Sequence, residues 1–350
     1  MNIFLPDEVK TIISALASRG FDAYAVGGCV RDSLLGVTPK DWDLATSATP
    51  EEVLACFDGY RVLETGLRHG TVAVLMSGVP YEITTFRVDG DYSDNRRPDS
   101  VEFVRDIGSD LSRRDFTVNA MAYSSELIDP FGGVRDLEER VIRCVGDPDA
   151  RFREDALRIL RALRFSSELG FEIERRTLDA LLETAESLRN VAAERVSAEL
   201  SRLLLGKNAL YALTVGRAAL AEIPVAVSDA SAEAIAAAPR DLTTRLALLF
   251  LELGADGAAD ALRRLRYSRA VIRDVKTRVK NNDPYGARPA LRDLTVTGAD
   301  MLALGYSGRR VGEALDSLLQ HVASGELPNT REALLAEARR AHIAARRDIL

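Results

Sequence analysis

The chain is poor in cysteine, histidine and lysine, and it contains no long apolar run. Its three cysteines, Cys29, Cys56 and Cys144, lie far apart, and with only His69, His321 and His342 beside them they form no group at zinc-ligand spacing. Ordinary buried or half-buried thiols are expected. No stretch approaches the roughly 20 apolar residues needed to cross a bilayer, and the opening MNIFLPDEVK lacks the basic and apolar blocks of a signal peptide. A cytoplasmic protein with no membrane partner is therefore expected. Lysine occurs only at Lys10, Lys40, Lys207, Lys276 and Lys280, so nearly all of the 46 positive side chains are arginine. Arginine grips phosphate in bidentate fashion and stacks on bases, although arginine- and alanine-rich usage also follows from a GC-rich genome. The formal net charge of −7 argues against a surface coated in nucleic acid but not against a local basic stripe.

A length of 350 residues exceeds one compact core, so at least two domains are expected. Up to about residue 147, short β-rich runs alternate with helices: FDAYAV (21–26), TVAVLM (71–76), YEITTFRV (81–88) and VEFV (101–104) have strand composition. Gly27 and Gly28 end the first run, and Val30 to Leu35 reads as a short helix closed by Gly36. From Arg151 onward the apolar spacing is helical almost throughout, with turns at Gly170, Gly206, Gly254 and Pro284. The segment DGDYSDNRRPDS (89–100) is dense in turn formers and charge, and reads by default as a solvated connector.

Asp41 and Asp43 stand in KDWDLAT, alternating with Trp42 and Leu44. In extended chain this spacing turns both carboxylates to one face. Two neighbouring carboxylates repel and are comfortable chiefly around a divalent cation. Alone the pair is weak evidence, but a glycine turn stands just before it. Gly27 and Gly28 lie between a strand and a helix, where backbone N–H groups can approach a triphosphate, and Arg31 lies one turn into that helix. Taken singly, the glycines need mean only a tight turn.

AVGGCVRDSLLG followed by KDWDLAT resembles the head domain of class II tRNA nucleotidyltransferases (CCA-adding enzymes) and bacterial poly(A) polymerases, of the polymerase-β-like superfamily. RRDFTVNAMAY (113–123), DPFGGVRDL (129–137), REDALRILRALRF (153–165) and AERVSAELSRLL (193–204) resemble further blocks of that family in the same order, and LTVTGADMLALGYSGRRVGEAL is similar to its C-terminal region. The resemblance implies an α+β fold: a small mixed-sheet nucleotidyltransferase head (1–147), then a helical neck (148–210), body (211–285) and tail (286–350). It implies template-independent addition of CMP and AMP, from CTP and ATP, to the 3′ end of tRNA. Asp41 and Asp43 would hold two magnesium ions, one activating the primer hydroxyl and one steadying the departing pyrophosphate. Glu82, on a neighbouring predicted strand, is a candidate third carboxylate. Arg114 would contact the nucleotide, Asp115 the ribose hydroxyl, and Asn119 would brace the site. The bland reading of Arg113 and Arg114 is plain surface charge. Glu194 and Arg195 resemble a structural prop for the recognition helix.

REDALRILRALRF also has a reading of its own. At about 100° per residue, Arg151, Glu154, Asp155, Arg158, Arg161 and Phe165 share one arc, and Phe152, Ala156, Ile159, Leu160 and Leu163 the opposite, core-facing one. The bland account of the charged arc is a solvated face of i,i+4 pairs such as Glu154 with Arg158. Its sharper account comes from base chemistry. Cytosine and adenine both offer an amino donor beside a ring-nitrogen acceptor, whereas uracil and guanine offer a carbonyl beside an N–H. An aspartate and an arginine together would accept C and A, and leave groups unpaired against U and G at about 1–3 kcal/mol each. The resemblance gives that role to Asp155 and Arg158, with Arg161 and Arg164 near base or phosphate; Arg164 lies off the arc.

In the family, a flexible segment after the strand ending near Arg87 takes part in switching from C to A, and enzymes restricted to C tend to have it shortened. Here it has full length, with Asp94, Arg96 and Arg97 present, favouring complete CCA or A addition. Two clusters offer a grip on an RNA backbone: Arg263, Arg264, Arg266, Arg269, Arg273 and Lys276, then Arg339, Arg340, Arg346 and Arg347. Each could equally be an exposed helix face. The alternatives are a poly(A) polymerase, which usually carries a more basic C-terminal extension, a partial A-adding or CC-adding enzyme, and a silent RNA-binding scaffold, which would have no reason to keep Asp41 and Asp43. The scattered histidines predict no phosphohydrolase domain, and no protein partner is evident.

Overall fold

The computed structural model describes residues 3–63, 66–67, 70–90, 100–286, 291–323 and 327–347. The predicted switch residues Asp94, Arg96 and Arg97 lie outside the described residues, as does His69.

The chain opens with α1 (Asp7–Ala17), which buries Val9, Ile12 and Leu16 at three- and four-residue spacing. There follow β1 (Ala23–Val26), α2 (Gly28–Leu34), β2 (Leu44–Thr46), α3 (Pro50–Cys56), β3 (Val62–Leu63), β4 (Thr71–Met76), β5 (Val79–Thr85), β6 (Arg87–Asp89) and β7 (Val101–Phe103). Next come α4 (Ile107–Ser112), β8 (Ala122–Tyr123), β9 (Leu127–Ile128), α5 (Gly133–Glu139) and β10 (Val141–Ile142). A seven-stranded sheet has the order β3-β4-β5-β2-β1-β8-β9. It is mixed: β2 runs parallel to β5, and the other pairs are antiparallel. In β4 the alternating sequence TVAVLM buries Val72, Val74 and Met76. α3 starts on a capping box, Thr49 accepting from Glu52 N while Glu52 accepts from Thr49 N, with Pro50 in the first turn.

The run read as one strand over 81–88 is two. Phe86 is fully buried between them; its N–H bonds Thr46 O at 2.7 Å and its carbonyl accepts from Val104 N at 2.9 Å. Beyond it the backbone leaves the main sheet and pairs β6 with β7. Val26, Ala45, Phe86, Leu111 and Ala122 form one buried cluster where β1, β2, β8 and α4 meet.

The remainder comprises α6 (Pro148–Glu154), α7 (Leu157–Leu169), β11 (Glu172–Ile173), α8 (Arg175–Glu183), α9 (Ala193–Leu205), α10 (Ala209–Val215), α11 (Arg217–Leu220), α12 (Asp229–Ala237), α13 (Leu242–Leu249) and α14 (Gly254–Arg264), then α15 (Arg269–Lys280), α16 (Gly298–Ala303), α17 (Arg309–Ala323) and α18 (Arg331–Arg347). After residue 151 the chain is helical almost throughout, as read, with β11 pairing in parallel with β10. One correction concerns REDALRILRALRF, which is not one helix. Asp155 is extended (φ −140°, ψ 104°) between α6 and α7, so the single charged arc does not exist as drawn. The apolar positions are nevertheless core: Phe152, Ala156, Ile159, Leu160 and Leu163 are all buried.

Two compact units result, Met1–Lys276 and Thr277–Leu350. The second has its own core of Leu294, Val296, Met301, Leu318, Leu334 and Ala338. No helix among the described residues is long and apolar enough to cross a membrane.

Candidate active site

The site is built in the first unit from the end of β1, the segments before β2 and after α4, and the helices α2, α7 and α9. β1 runs into Gly27, whose φ of 76° and ψ of −126° an L side chain rarely adopts. A Cβ there would also stand 3.0 Å from Arg114 Nη1, so the glycine admits a guanidinium against the backbone. Gly28 then starts α2.

Asp41 and Asp43 lie immediately before β2, not on it, and Val26 N donates to Asp43 O at 2.9 Å, so the ladder with β1 already holds Asp43. The predicted alternation is present, with Asp41 and Asp43 exposed and Leu44 buried. β2 pairs with β5 in parallel with Leu44 opposite Ile83, which sets Glu82 beside Asp43. Though open to solvent on one side, the Asp43 carboxyl is crowded by protein. Desolvation raises its pKa above the usual carboxylate value, Glu82 and Asp41 push the same way, and Arg114 opposes them. An oxygen-only donor set under mutual repulsion is what a hard divalent cation relieves, and the residues present fit one. Among the described residues, no group of three or more His, Cys, Asp or Glu side chains closes on one point.

Around them lies a network of alternating charge. Asp115, nearly buried, accepts from Phe116 N at 2.8 Å and Asn119 Nδ2 at 3.2 Å through Oδ1, and from Arg161 Nε at 2.8 Å through Oδ2. Burial pushes its pKa up, but Arg161 and Asn119 outweigh that and hold it at about 2. Asn119 is a bridge, its Oδ1 accepting from Arg31 Nη1 at 2.6 Å. Arg31 also pairs with Asp32. Arg113 and Arg114 both pair with the fully buried Asp110. Arg158 donates to Glu154, to Arg151 O and to Arg113 O, so the i,i+4 pair read from sequence exists within a buried contact. Asp155 Oδ1 accepts from Leu157 N at 3.0 Å and Oδ2 from Arg195 Nη2 at 2.8 Å. It thus starts α7 in the manner of a cap. Arg164 is buried and bonds Glu199 Oε2 at 2.5 Å and Glu168 Oε2 at 2.7 Å, with Phe165 stacked 3.8 Å from its guanidinium.

A cavity of about 470 Å³ joins these parts. Gly27, Gly28, Arg31, Asp43, Arg114, Asp115, Asn119, Asp155, Arg158, Arg161 and Arg164 all line it. Asp41 and Glu82 do not. Its wall also includes Arg113, Arg195, Arg202 and Phe165, giving eight arginines against three aspartates, a wall suited to a polyanion. Arg202 was not singled out from sequence; it stands two helical turns after Arg195 on α9, a spacing that would have found it. The helical basic clusters are partly neutralised: Arg263 pairs with Asp260, Lys276 with Asp256 and Arg340 with Glu337. The side chains of Arg346 and Arg347 lie outside the described ones.

Comparison with known proteins gives three family matches. Residues 23–143 match the family described as "Poly A polymerase head domain". Residues 170–215 match the "Probable RNA and SrmB- binding site of polymerase A", and residues 289–338 match the tRNA nucleotidyltransferase domain 2. The chain is 36% identical to the CCA-adding enzyme of Enterococcus faecalis across 96% of this chain and 97% of that one. It is 51% identical to the CCA-adding enzyme of Leuconostoc mesenteroides across 60% of this chain and 53% of that one. In matches of the latter kind, as with Geobacillus thermodenitrificans, it spans about half the length of the relative. Among solved structures it is similar to the Bacillus stearothermophilus CCA-adding enzyme in complex with CTP, at 31% identity and a TM-score of 0.69 over 99% of this chain and 100% of that one. The Thermotoga maritima CCA-adding enzyme shares the fold, at 21% identity and a TM-score of 0.66.

Proposed function

Because the chain belongs to the CCA-adding enzyme family, we propose that it adds CMP and AMP from CTP and ATP to the 3′ end of tRNA, in the cytoplasm, without a nucleic-acid template. The observation that carries this reading is one cavity lined together by a glycine turn, Asp43, an arginine-rich wall, Asp155 and Arg158. The related enzyme solved with CTP supports CTP as a ligand for such a cavity. The division into head (1–147), neck (148–210), body (211–285) and tail (286–350) is part of the same reading.

Gly27 and Gly28 bring backbone against the triphosphate, and Arg31 and Arg114 supply charge. Two magnesium ions held by Asp41 and Asp43, with Glu82 as a further oxygen donor, would activate the primer 3′-hydroxyl and stabilise the departing pyrophosphate. Asp115 reads the ribose hydroxyl while Asn119 and Arg161 fix its orientation. Asp155 spends one lone pair on Leu157 and one on Arg195, and a carboxylate has about four, so it can still accept from a cytosine or adenine amino group. Arg158 donates to the ring nitrogen. Arg161 and Arg164 complete the base and phosphate side. The basic faces of α14, α15 and α18 hold RNA through its backbone.

The test is extension of tRNA transcripts ending before CCA, at C or at CC, each with single labelled nucleotides. A finite CCA end on all three supports the reading. Long A tails transfer it to poly(A) synthesis, addition of A or of CC alone makes the enzyme a partial one, and no addition leaves a binding scaffold.

A further inference from the structure

One buried carboxylate next to this site has no part in the chemistry described above. Asp110 lies on α4 with no exposed surface. Its Oδ1 accepts from Arg113 Nε at 3.0 Å and Nη2 at 2.7 Å, and its Oδ2 accepts from Arg114 Nη2 at 3.0 Å. Oδ1 also lies 3.4 Å from the backbone N–H of Arg87, the first residue of β6. Burial disfavours its charge, but Arg114 and Arg113 overcome that and keep its pKa below the ordinary value.

Arg114 has two acids within its field. One is Asp110 behind it, with which it pairs; the other is Asp43 in front, whose pKa it lowers without forming an ion pair within 4.0 Å among the described residues. Its Nη1 lies over Gly27, and its Nε is buried with no hydrogen-bond partner among the described residues. A buried guanidinium N–H without a protein acceptor is costly, and a bound anion would relieve it. If the pull from Asp110 were removed, Asp43 would still act on Arg114, and Arg114 would be drawn towards the carboxylate that the cation needs.

We infer that Asp110 is a positioning residue, which anchors Arg114 above the Gly27–Gly28 turn so that its remaining donors meet the nucleotide triphosphate and not Asp43. The inference rests on the functional reading above. It acts through a second residue, so its signature is non-additivity.

The experiment measures CTP binding to the full chain at equilibrium, without primer, for the parent, Asp110→Asn, Arg114→Ala and the double variant, with KM and kcat for C addition alongside. Each single variant is expected to weaken CTP binding roughly tenfold or more, the usual worth of one charged hydrogen bond, and to raise KM more than it lowers kcat. The double variant is expected to lose several-fold less than the product of the two single losses, because both changes remove the Asp110–Arg114 interaction, the remainder being what Asp110 does through Arg113. Asp110→Glu keeps the charge and moves it by one methylene; it serves if the Asn variant does not fold, with a smaller loss that shrinks in the Arg114→Ala background. Losses that multiply, or CTP binding unchanged by either Asp110 variant, overturn the inference. A parent chain that binds CTP but extends no tRNA end overturns the functional reading instead, and leaves the binding cycle interpretable.

Discussion

Asp155 and Arg195, forty residues apart in sequence, meet at 2.8 Å in a break between α6 and α7. The break is stabilised on both sides: one carboxylate oxygen takes the Leu157 N–H that begins α7, and the other takes the α9 arginine. Asp155→Ala therefore removes a cap as well as the proposed base reader. A stability loss of about 0.5–2 kcal/mol is expected from the cap alone, seen as a lower melting temperature. The separate functional effect is loss of discrimination. UTP and GTP incorporation relative to CTP and ATP should rise at least roughly tenfold, since one unpaired buried group costs about 1–3 kcal/mol. Unchanged preference in a folded variant would remove Asp155 from the reading.

Gly27 and Gly28 are adjacent and respond oppositely to a methyl group. At Gly27 an alanine would sit at φ 76° with its Cβ 3.0 Å from Arg114 Nη1, whereas at Gly28 the nearest contact is Arg31 Nη2 at 3.6 Å and φ is not positive. Gly27→Ala is expected to cost about 1–2 kcal/mol through backbone strain, and to weaken CTP binding by displacing Arg114. Gly28→Ala should fold without that strain and leave Arg114 in place, so its loss of CTP binding should be smaller, confined to the bulk of one methyl beside the triphosphate. Titration of both variants with CTP checks this contrast, and equal losses would mean that the turn tolerates no side chain anywhere and that Arg114 is not the reason.

Much of this was legible in sequence where a local rule decides it. Alternation in TVAVLM, the glycines after FDAYAV and the spacing of Asp41 with Asp43 each depend on near neighbours only. The failures have a common cause in tertiary contacts. REDALRILRALRF contains no glycine or proline, and the interruption at Asp155 is held both by Leu157 N and by Arg195, a partner forty residues away. The strand pairs β8–β9 and β10–β11 are two residues long and depend on partners for their definition. Asp110 precedes Arg113 and Arg114 at spacings that on paper describe a surface ion pair; only burial shows that it carries both. Arg164 lay off the charged arc for a reason that the structure supplies, its pairing with Glu199 and Glu168 inside the helical layer.

Asp115 makes part of the stability of the site pH-dependent. Its folded pKa of about 2 lies below the ordinary aspartate value of 3.8. A depressed carboxylate stabilises the fold above its unfolded pKa and loses that contribution as pH falls towards the folded value. The contribution is on the order of 2 kcal/mol. Asp115→Asn should therefore be less stable than the parent at neutral pH, and the gap in unfolding free energy should narrow between about pH 4 and pH 2. Denaturant unfolding at a series of pH values measures it. A gap constant with pH would show that Arg161 holds Asp115 by geometry and not by charge.

Asp43 has the opposite sign, and this separates a metal site from a merely acidic surface. Its pKa is raised, by desolvation and then by Glu82 and Asp41, so ionising it works against the fold when no cation is bound. Asp43→Asn should leave the metal-free protein as stable as the parent or more so, while abolishing the stabilisation that added Mg²⁺ gives the parent. Nucleotide addition should fall by about 10³-fold or more for Asp41→Ala or Asp43→Ala, the loss expected when several kcal/mol of transition-state stabilisation go. EDTA should do the same to the parent. Glu82→Gln, beside Asp43 in the sheet register, should lower activity less and raise the Mg²⁺ concentration needed for half-maximal rate. If Mg²⁺ stabilises Asp43→Asn as much as the parent, the cation binds elsewhere and the two aspartates do not hold it.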